Sequence, residues 1–380
     1  MREYLLVFLV AAASTYLLTV IAREIALRTG AVAAVRDRDV HAEPVPYLGG
    51  LAMMGGLATA YVVAHQLPFL SRSDPLVFHN AGIVLAAGAM ICAVGVLDDL
   101  FELDALTKFG GQLLAAGFLV YEQIQYLYLP LSGGNQFALD PAQAALLTVF
   151  IVVATVNAVN FVDGLDGLAA GVVGIGALAF FGFCYQLTRL NSASLASTGA
   201  LLSAMLAGVC IGFLPHNFNP ARLFMGDSGS MLIGLVLSAS AITLTGQYSP
   251  SELTQGALGS NASLAPTFLP LALPVTLLLV PIADLVLAVV RRTRAGRSPF
   301  SPDKEHLHHR LLEIGHSQRR AVVIMWMWAA LIAGSTVVVS LYTGPTMWLA
   351  IGSATVLTVV LTFVLPVLHR PQLVVPHEDG

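Results

Sequence analysis

The chain has 380 residues, 57% hydrophobic and only 11% charged, with a mean hydropathy of +0.80. Soluble domains carry about 25% charged residues, so most of this surface must be solvated by lipid. The net charge of -4 removes any case for general nucleic-acid binding.

Apolar stretches of membrane-spanning length lie near 3–22, 48–67, 81–97, 109–127, 141–158, 168–186, 197–214, 229–246, 267–290, 321–341 and 345–366. Backbone polar groups cannot be left unpaired in hydrocarbon, so these stretches read as helices. The fold class is an all-α integral membrane protein with about eleven spans. The first stretch could imitate a signal peptide, with Arg2 followed by an apolar run. It reads instead as a retained span, because further spans follow and no soluble domain is there to export. No internal repeat or low-complexity tract interrupts the pattern. One catalytic domain over 1–370 is expected, followed by a short cytoplasmic tail, 371–380. Cys92, Cys184 and Cys210 lie inside apolar runs and read as buried small hydrophobes.

Basic residues orient the spans, because cytoplasmic loops are enriched in them. With the N-terminus outside, all but Arg2, Arg72 and Arg189 of the 18 basic residues fall on the inner face. The C-terminus is then cytoplasmic. Almost every polar cluster able to do chemistry falls on that same inner face.

Five clusters follow in chain order. Asp39 to Gly50 contains two prolines and two adjacent glycines, and reads as a rigid turn entering the second span with close helix packing. Asp98-Asp99 ends the third span, with Glu102, Asp104 and Lys108 after it. Adjacent carboxylates at a membrane boundary repel each other, and make sense beside a cation or with one acting as a base. Asn157, Asn160, Asp163 and Asp166 then recur every three residues as a polar stripe, although Gly164 and Gly167 argue against an unbroken helix. Oxygen ligands with glycine turns suit a hard cation such as Mg²⁺. Phe224-Met-Gly-Asp227-Ser-Gly-Ser opens the eighth span, where free backbone N–H groups would form an anion site. Asp227 would repel a bare phosphate there unless a metal bridges the two. The longest inner segment, 291–320, is basic and holds His306, His308, His309, Arg310 and His316. With no cysteine nearby and no His-Glu-x-x-His pattern, it suits phosphate groups better than zinc. A basic juxtamembrane segment is also drawn to anionic lipid. The ninth span carries Pro270, Pro274 and Pro281, which read either as an ordinary kink or as a bend opening a lipid groove.

Carboxylates, asparagines and a basic loop on one face make up the equipment for metal-assisted phosphoryl transfer from a soluble polyanion. The hydrophobic body implies a lipid acceptor. Together the motifs resemble the polyprenyl-phosphate N-acetylhexosamine-1-phosphate transferase superfamily, glycosyltransferase family 4. The resemblance rests on Asp98-Asp99, Asn157-x-x-Asn160-x-x-Asp163-Gly-x-Asp166-Gly, Phe224-Met-Gly-Asp227-Ser-Gly-Ser and His306-Leu-His308-His309-Arg310.

The resemblance implies transfer of a sugar-1-phosphate from a UDP-sugar to a polyprenyl phosphate, with release of UMP. It also implies Mg²⁺, with Mn²⁺ as a substitute, a multi-pass location in the bacterial inner membrane, and a homodimer as often seen in the family. By motif position, Asn160 and Asp227 would be metal ligands. Asp98, Asp99, Asp163, Asp166, His306, His308 and His309 would form the catalytic set. Lys108, Asn157, Phe224 and Arg310 would bind substrate, with Phe224 beside the uracil. The His-x-His-His-Arg form is similar to the UDP-GlcNAc branch that begins cell-envelope polysaccharides such as lipopolysaccharide O-antigen, teichoic acid or arabinogalactan. The peptidoglycan branch, with UDP-MurNAc-pentapeptide as donor, usually shows three adjacent histidines and more lysines after the paired aspartates. A lipid or solute transporter is the competing class. It would need charges within the spans, and Asp284 in the ninth is the clear candidate.

Overall fold

The computed structural model describes residues 1–32, 45–130, 136–191, 197–245, 293, 317–341 and 344–363. The expected ninth span with Asp284, the first part of the Asp39 loop, and His306, His308, His309 and Arg310 lie outside the described residues.

Ten α-helices account for the other expected spans. They are α1 (Arg2–Thr29), α2 (Gly49–Ala64), α3 (Pro75–Phe101), α4 (Ala105–Tyr121), α5 (Pro141–Val162), α6 (Leu168–Asn191), α7 (Ser197–Asn217), α8 (Gly226–Thr245), α9 (Gln318–Leu341) and α10 (Pro345–Phe363). Eight are long and apolar enough to cross a membrane; α2 and α4 are shorter, at 16 and 17 residues. The chain is therefore a helical, multi-pass membrane protein. The three cysteines are buried thiols, as their apolar settings require.

Helix starts follow local chemistry. Asp74 accepts from the Leu76 N–H ahead of Pro75, Asp104 accepts from the Thr107 N–H, and Asp140 forms a reciprocal capping box with Gln143. The caps move boundaries outward from the apolar stretches: α3 begins at Pro75, six residues ahead of the run at 81. The opposite correction applies to α4. It stops at Tyr121, and the chain turns through Gln123 at φ 63 into a two-stranded antiparallel ribbon, Tyr128–Pro130 with Gln136–Ala138. The chain is thus not wholly α-helical. Residues 122–127 break the apolar run with Glu122, Gln123 and Gln125 and feed a hairpin, whose paired strands satisfy the backbone differently.

The bundle is built around α8. In the most apolar stretch of α8, 94% of residues are buried, against 17% in α9 and α10. Its composition explains the position. Gly229, Ser230, Gly234, Ser238 and Ser240 keep its surface low, so α3 and α5 approach closely. Its hydroxyls return to the helix itself: Ser238 Oγ donates to Gly234 O at 3.1 Å and Ser240 Oγ to Val236 O at 2.6 Å. Around it, α1 packs on α2 and α7, and α6 on α7 and α9.

Close approach is strictest at the start of α8. A Cβ added at Gly95 of α3 would strike the Ser228 backbone, and one at Gly50 of α2 the backbone of Ser228 and Gly229. Gly117 of α4 instead has open space around it. Gly95→Ala should therefore lower the unfolding temperature in detergent by overpacking worth about 1–3 kcal/mol. Gly117→Ala should leave it equal or raise it, as alanine is the better helix former. Equal behaviour of the two variants would contradict this packing.

Candidate active site

The polar residues collect where α3, α5 and α7 end and α2, α4 and α8 begin. They sit at one end of the bundle rather than at mid-span, which suits an enzyme better than a transporter.

Asp99 organises this end. Its Oδ1 accepts from the Asp227 N–H at 2.8 Å, and its Oδ2 from the Ser228 N–H at 3.3 Å and the Ser228 hydroxyl at 2.7 Å. The start of α8 is thus an anion site, as its glycines and hydroxyls suggest, but the anion it receives is a carboxylate from α3. This corrects the expectation of free N–H groups facing a substrate phosphate. Gly226 makes the approach possible: its φ is 70, and any Cβ there would collide with the Asp99 carboxylate.

Asp98 points differently. Glu102, at φ 49, turns the chain out of α3, so that the Leu103 N–H reaches Asp98 Oδ1 at 2.8 Å. The same turn starts α4 and swings Lys108 back. Its ammonium sits 2.6 Å from Asp98 Oδ2 and 2.9 Å from Asp227 Oδ2. The cation that a pair of aspartates calls for is supplied in part by this lysine. From α5, Asn160 Nδ2 donates to Asp227 Oδ1 and to Ser230 Oγ, both at 2.9 Å.

The polar stripe divides where its glycines predict. Helix α5 ends at Val162, and Asp163 is its C-cap. Asp163 is half-buried; the protein packed around its carboxyl disfavours the charged form, and the charges of Asp227, Asp99 and Asp166 add to this. Together they hold it well above the usual carboxylate range. Asp166 is buried beyond the turn, where its Oδ2 accepts from Asn219 Nδ2 and the Ala221 N–H, both at 3.1 Å. It fastens the loop between α7 and α8. Asn157, expected to meet substrate, has its amide nitrogen on Gln112 Oε1 at 2.6 Å and Val153 O at 2.8 Å. Phe224 is half-buried beside Tyr47, ring centroids 5.7 Å apart, on a backbone pinned by bonds to Pro46 and Gly49.

Carboxylate oxygens of Asp98, Asp99 and Asp227 lie within 4.8 Å of one another. These hard, anionic oxygens with one ammonium among them are a donor set that fits Mg²⁺.

The profile described as glycosyl transferase family 4 matches residues 81–245. A decaprenyl-phosphate N-acetylglucosaminephosphotransferase of Mycolicibacterium smegmatis is 48% identical over 376 residues, 97% of this chain and 90% of its own length. A protein of the same name from Mycobacterium tuberculosis is 47% identical over 88% of this chain and 81% of its own length. An undecaprenyl-phosphate alpha-N-acetylglucosaminyl 1-phosphate transferase of Escherichia coli is 30% identical over 84% and 79%. The chain belongs to glycosyl transferase family 4, in its polyprenyl-phosphate N-acetylglucosamine phosphotransferase branch.

The family match runs from α3 to α8 and so contains Asp98, Asp99, Lys108, Asn160, Asp163 and Asp227. Ser230, the last residue of the Phe224 motif, and Gln112, which lies outside every motif, also take part in this site. Ser230 takes a bond from Asn160, and Gln112 holds Asn157. The signal for Gln112 was present: an uncharged polar side chain inside an apolar helix, one turn after Lys108.

Asp163 supplies a test of the electrostatics. The unfolded chain ionises it above about pH 4, whereas the folded protein resists ionisation. Its charge therefore favours unfolding, fully so above the raised folded pKa and not at all below about pH 4. Without divalent metal, Asp163→Asn should unfold at a higher temperature than the wild type at neutral pH. The gap should close as the pH falls towards the ordinary carboxylate value. Identical melting curves at every pH would remove the electrostatic account.

Proposed function

We propose that this protein transfers N-acetylglucosamine-1-phosphate from UDP-GlcNAc to a polyprenyl phosphate, forming polyprenyl-diphosphate-GlcNAc and releasing UMP. The observation that carries the reading is the cluster of Asp98, Asp99 and Asp227, crossed by Lys108, at the end of a lipid-solvated bundle. Decaprenyl phosphate is the favoured acceptor, because the relatives with that name are 46–48% identical, against 30–31% for undecaprenyl-phosphate enzymes. The product would open a cell-envelope polysaccharide.

An oxygen of the lipid phosphate attacks the sugar-bearing phosphorus. The new P–O bond forms as the bond to the UMP oxygen breaks, and UMP departs with that electron pair. Asp227 and Asn160, with Asp98 beside them, would hold Mg²⁺, which supplies positive charge for the donor diphosphate. Lys108 adds a fixed positive charge at the same point and keeps two carboxylates from repelling an incoming phosphate. Asp99 and Gly226 hold the backbone of Asp227. The lipid phosphate's second pKa is about 6, so it arrives mostly dianionic. Asp98, engaged by Lys108 and the Leu103 N–H, is suited to steering charge rather than to removing a proton.

We also place the N-terminus outside and the site on the cytoplasmic face of a bacterial inner membrane, with eleven spans. Successive helices alternate in direction. Helix α8 runs away from the site and α9 begins beside it, tied by Gln318 to Asn219, which supports an odd number of crossings between them.

The purified protein, given decaprenyl phosphate, Mg²⁺ and UDP-GlcNAc, should release UMP only when lipid and metal are both present. Release of UDP would overturn the reaction type. Asp227→Asn should lower UMP release by about a hundredfold or more. Asp98→Asn should lose activity at every pH from about 6 to about 9; recovery at high pH would restore it as a general base.

A further inference from the structure

Beneath the cluster lies a second polar layer. Three helices each contribute one residue to the upper layer: Lys108 from α4, Asn160 from α5 and Asp227 from α8. One helical turn deeper, the same three helices contribute Gln112, Asn157 and Met231. This lower layer is connected too. Gln112 and Asn157 exchange amide hydrogen bonds, Asn157 Nδ2 to Gln112 Oε1 at 2.6 Å and Gln112 Nε2 to Asn157 Oδ1 at 3.4 Å. Gln112 Nε2 also lies 3.6 Å from Met231 Sδ. Gln112 is only 5% exposed and Met231 1%. The side chains and the helix turns between them close a ring: Lys108, Asp227, Asn160, Asn157, Gln112 and back to Lys108.

We propose that Gln112 is a positioning residue for the transfer reaction, acting through Asn157 and Met231 to fix the spacing of α4, α5 and α8, and so of Lys108, Asn160 and Asp227. The proposal rests on the function given above. Gln112 itself touches no reacting group. An amide pair suits this work, because it sets distance and direction without adding charge beside three carboxylates. The upper layer ties α4 to α8 through Lys108 and α5 to α8 through Asn160, and the amide pair adds the bond between α4 and α5 that closes the triangle.

The test uses the full-length protein in detergent with two readouts. One is UMP release as kcat and KM. The other, independent of turnover, is the labelling rate of Lys108 by an amine-reactive acylating reagent at one pH, resolved from Lys304 by peptide mass spectrometry. Gln112→Leu and Asn157→Leu should each lower kcat about tenfold or more, with KM for both substrates within about twofold, and should speed Lys108 labelling. The double variant should be no worse than either single one, because the pair acts as a unit. Exchanging the two side chains, Q112N with N157Q, restores the length of the pair and should recover both readouts, whereas Q112N alone should not. If Gln112→Leu fails to fold, Q112N and the exchange carry the test alone.

Lower thermal stability with unchanged kcat and unchanged labelling would overturn the proposal, leaving the pair as helix adhesive. So would additive losses, or an exchange that recovers nothing. If the wild type releases no UMP, the function fails, and the labelling arm still decides whether Gln112 orders Lys108.

Discussion

The site depends on one carboxylate placed against one helix end. Asp99 of α3 satisfies the first backbone donors of α8, which would otherwise lie buried and unpaired at a costly position. That bond presents Asp227 to the neighbouring helices and brings α3 against the glycine-rich start of α8. Gly226 has no side chain because Asp99 occupies the space one would need. Asp98, the adjacent residue on α3, points elsewhere and meets Lys108. Two neighbours in sequence thus do separate work: one builds the site and the other faces into it.

Charge imbalance is the functional property of this end of the bundle. Asp98, Asp99, Asp163 and Asp227 gather there, and among the described residues Lys108 is the cation in ion-pair contact with them. Excess negative charge costs stability in the absence of metal, and the raised Asp163 pKa is the local expression of that cost. A site that must hold a divalent cation and a diphosphate together is built in this way. The carboxylates stay close only because the surrounding helices hold them there.

The bundle supplies that rigidity through shape. Small residues along α8 admit its neighbours, Gly50 and Gly95 meet its first turn with backbone contact, and the Gln112–Asn157 pair ties α4 to α5 one turn below the carboxylates. Farther out, Asp166 and Asn219 fasten the loop between α7 and α8, and Asn219 also reaches Gln318 at the start of α9. The polar bonds are few, and each joins different helices. This is the expected economy in lipid, where helix association relies on close packing and scattered polar contacts.

Much of this was legible in the sequence. Hydropathy located all ten described helices, with ends displaced by as much as seven residues at the close of α1, because a bilayer imposes its thickness on any chain that spans it. Residue chemistry located the site, because carboxylates and asparagines rarely sit at a membrane boundary without purpose. Local composition, however, did not reveal partners. Whether the α8 N-terminus would receive a substrate or Asp99 depended on how α3 crosses it. That Asn157 would pair with Gln112 depended on the spacing of α4 and α5. The hairpin after α4 was missed because the expected span was carried through Glu122, Gln123 and Gln125, polar residues that end the apolar run. Sequence alone determined which residues could be charged, apolar or small, and so the membrane fold and the family. Tertiary structure alone decided which charge meets which, because hydrogen bonds and ion pairs act over a few ångströms between helices far apart in the chain.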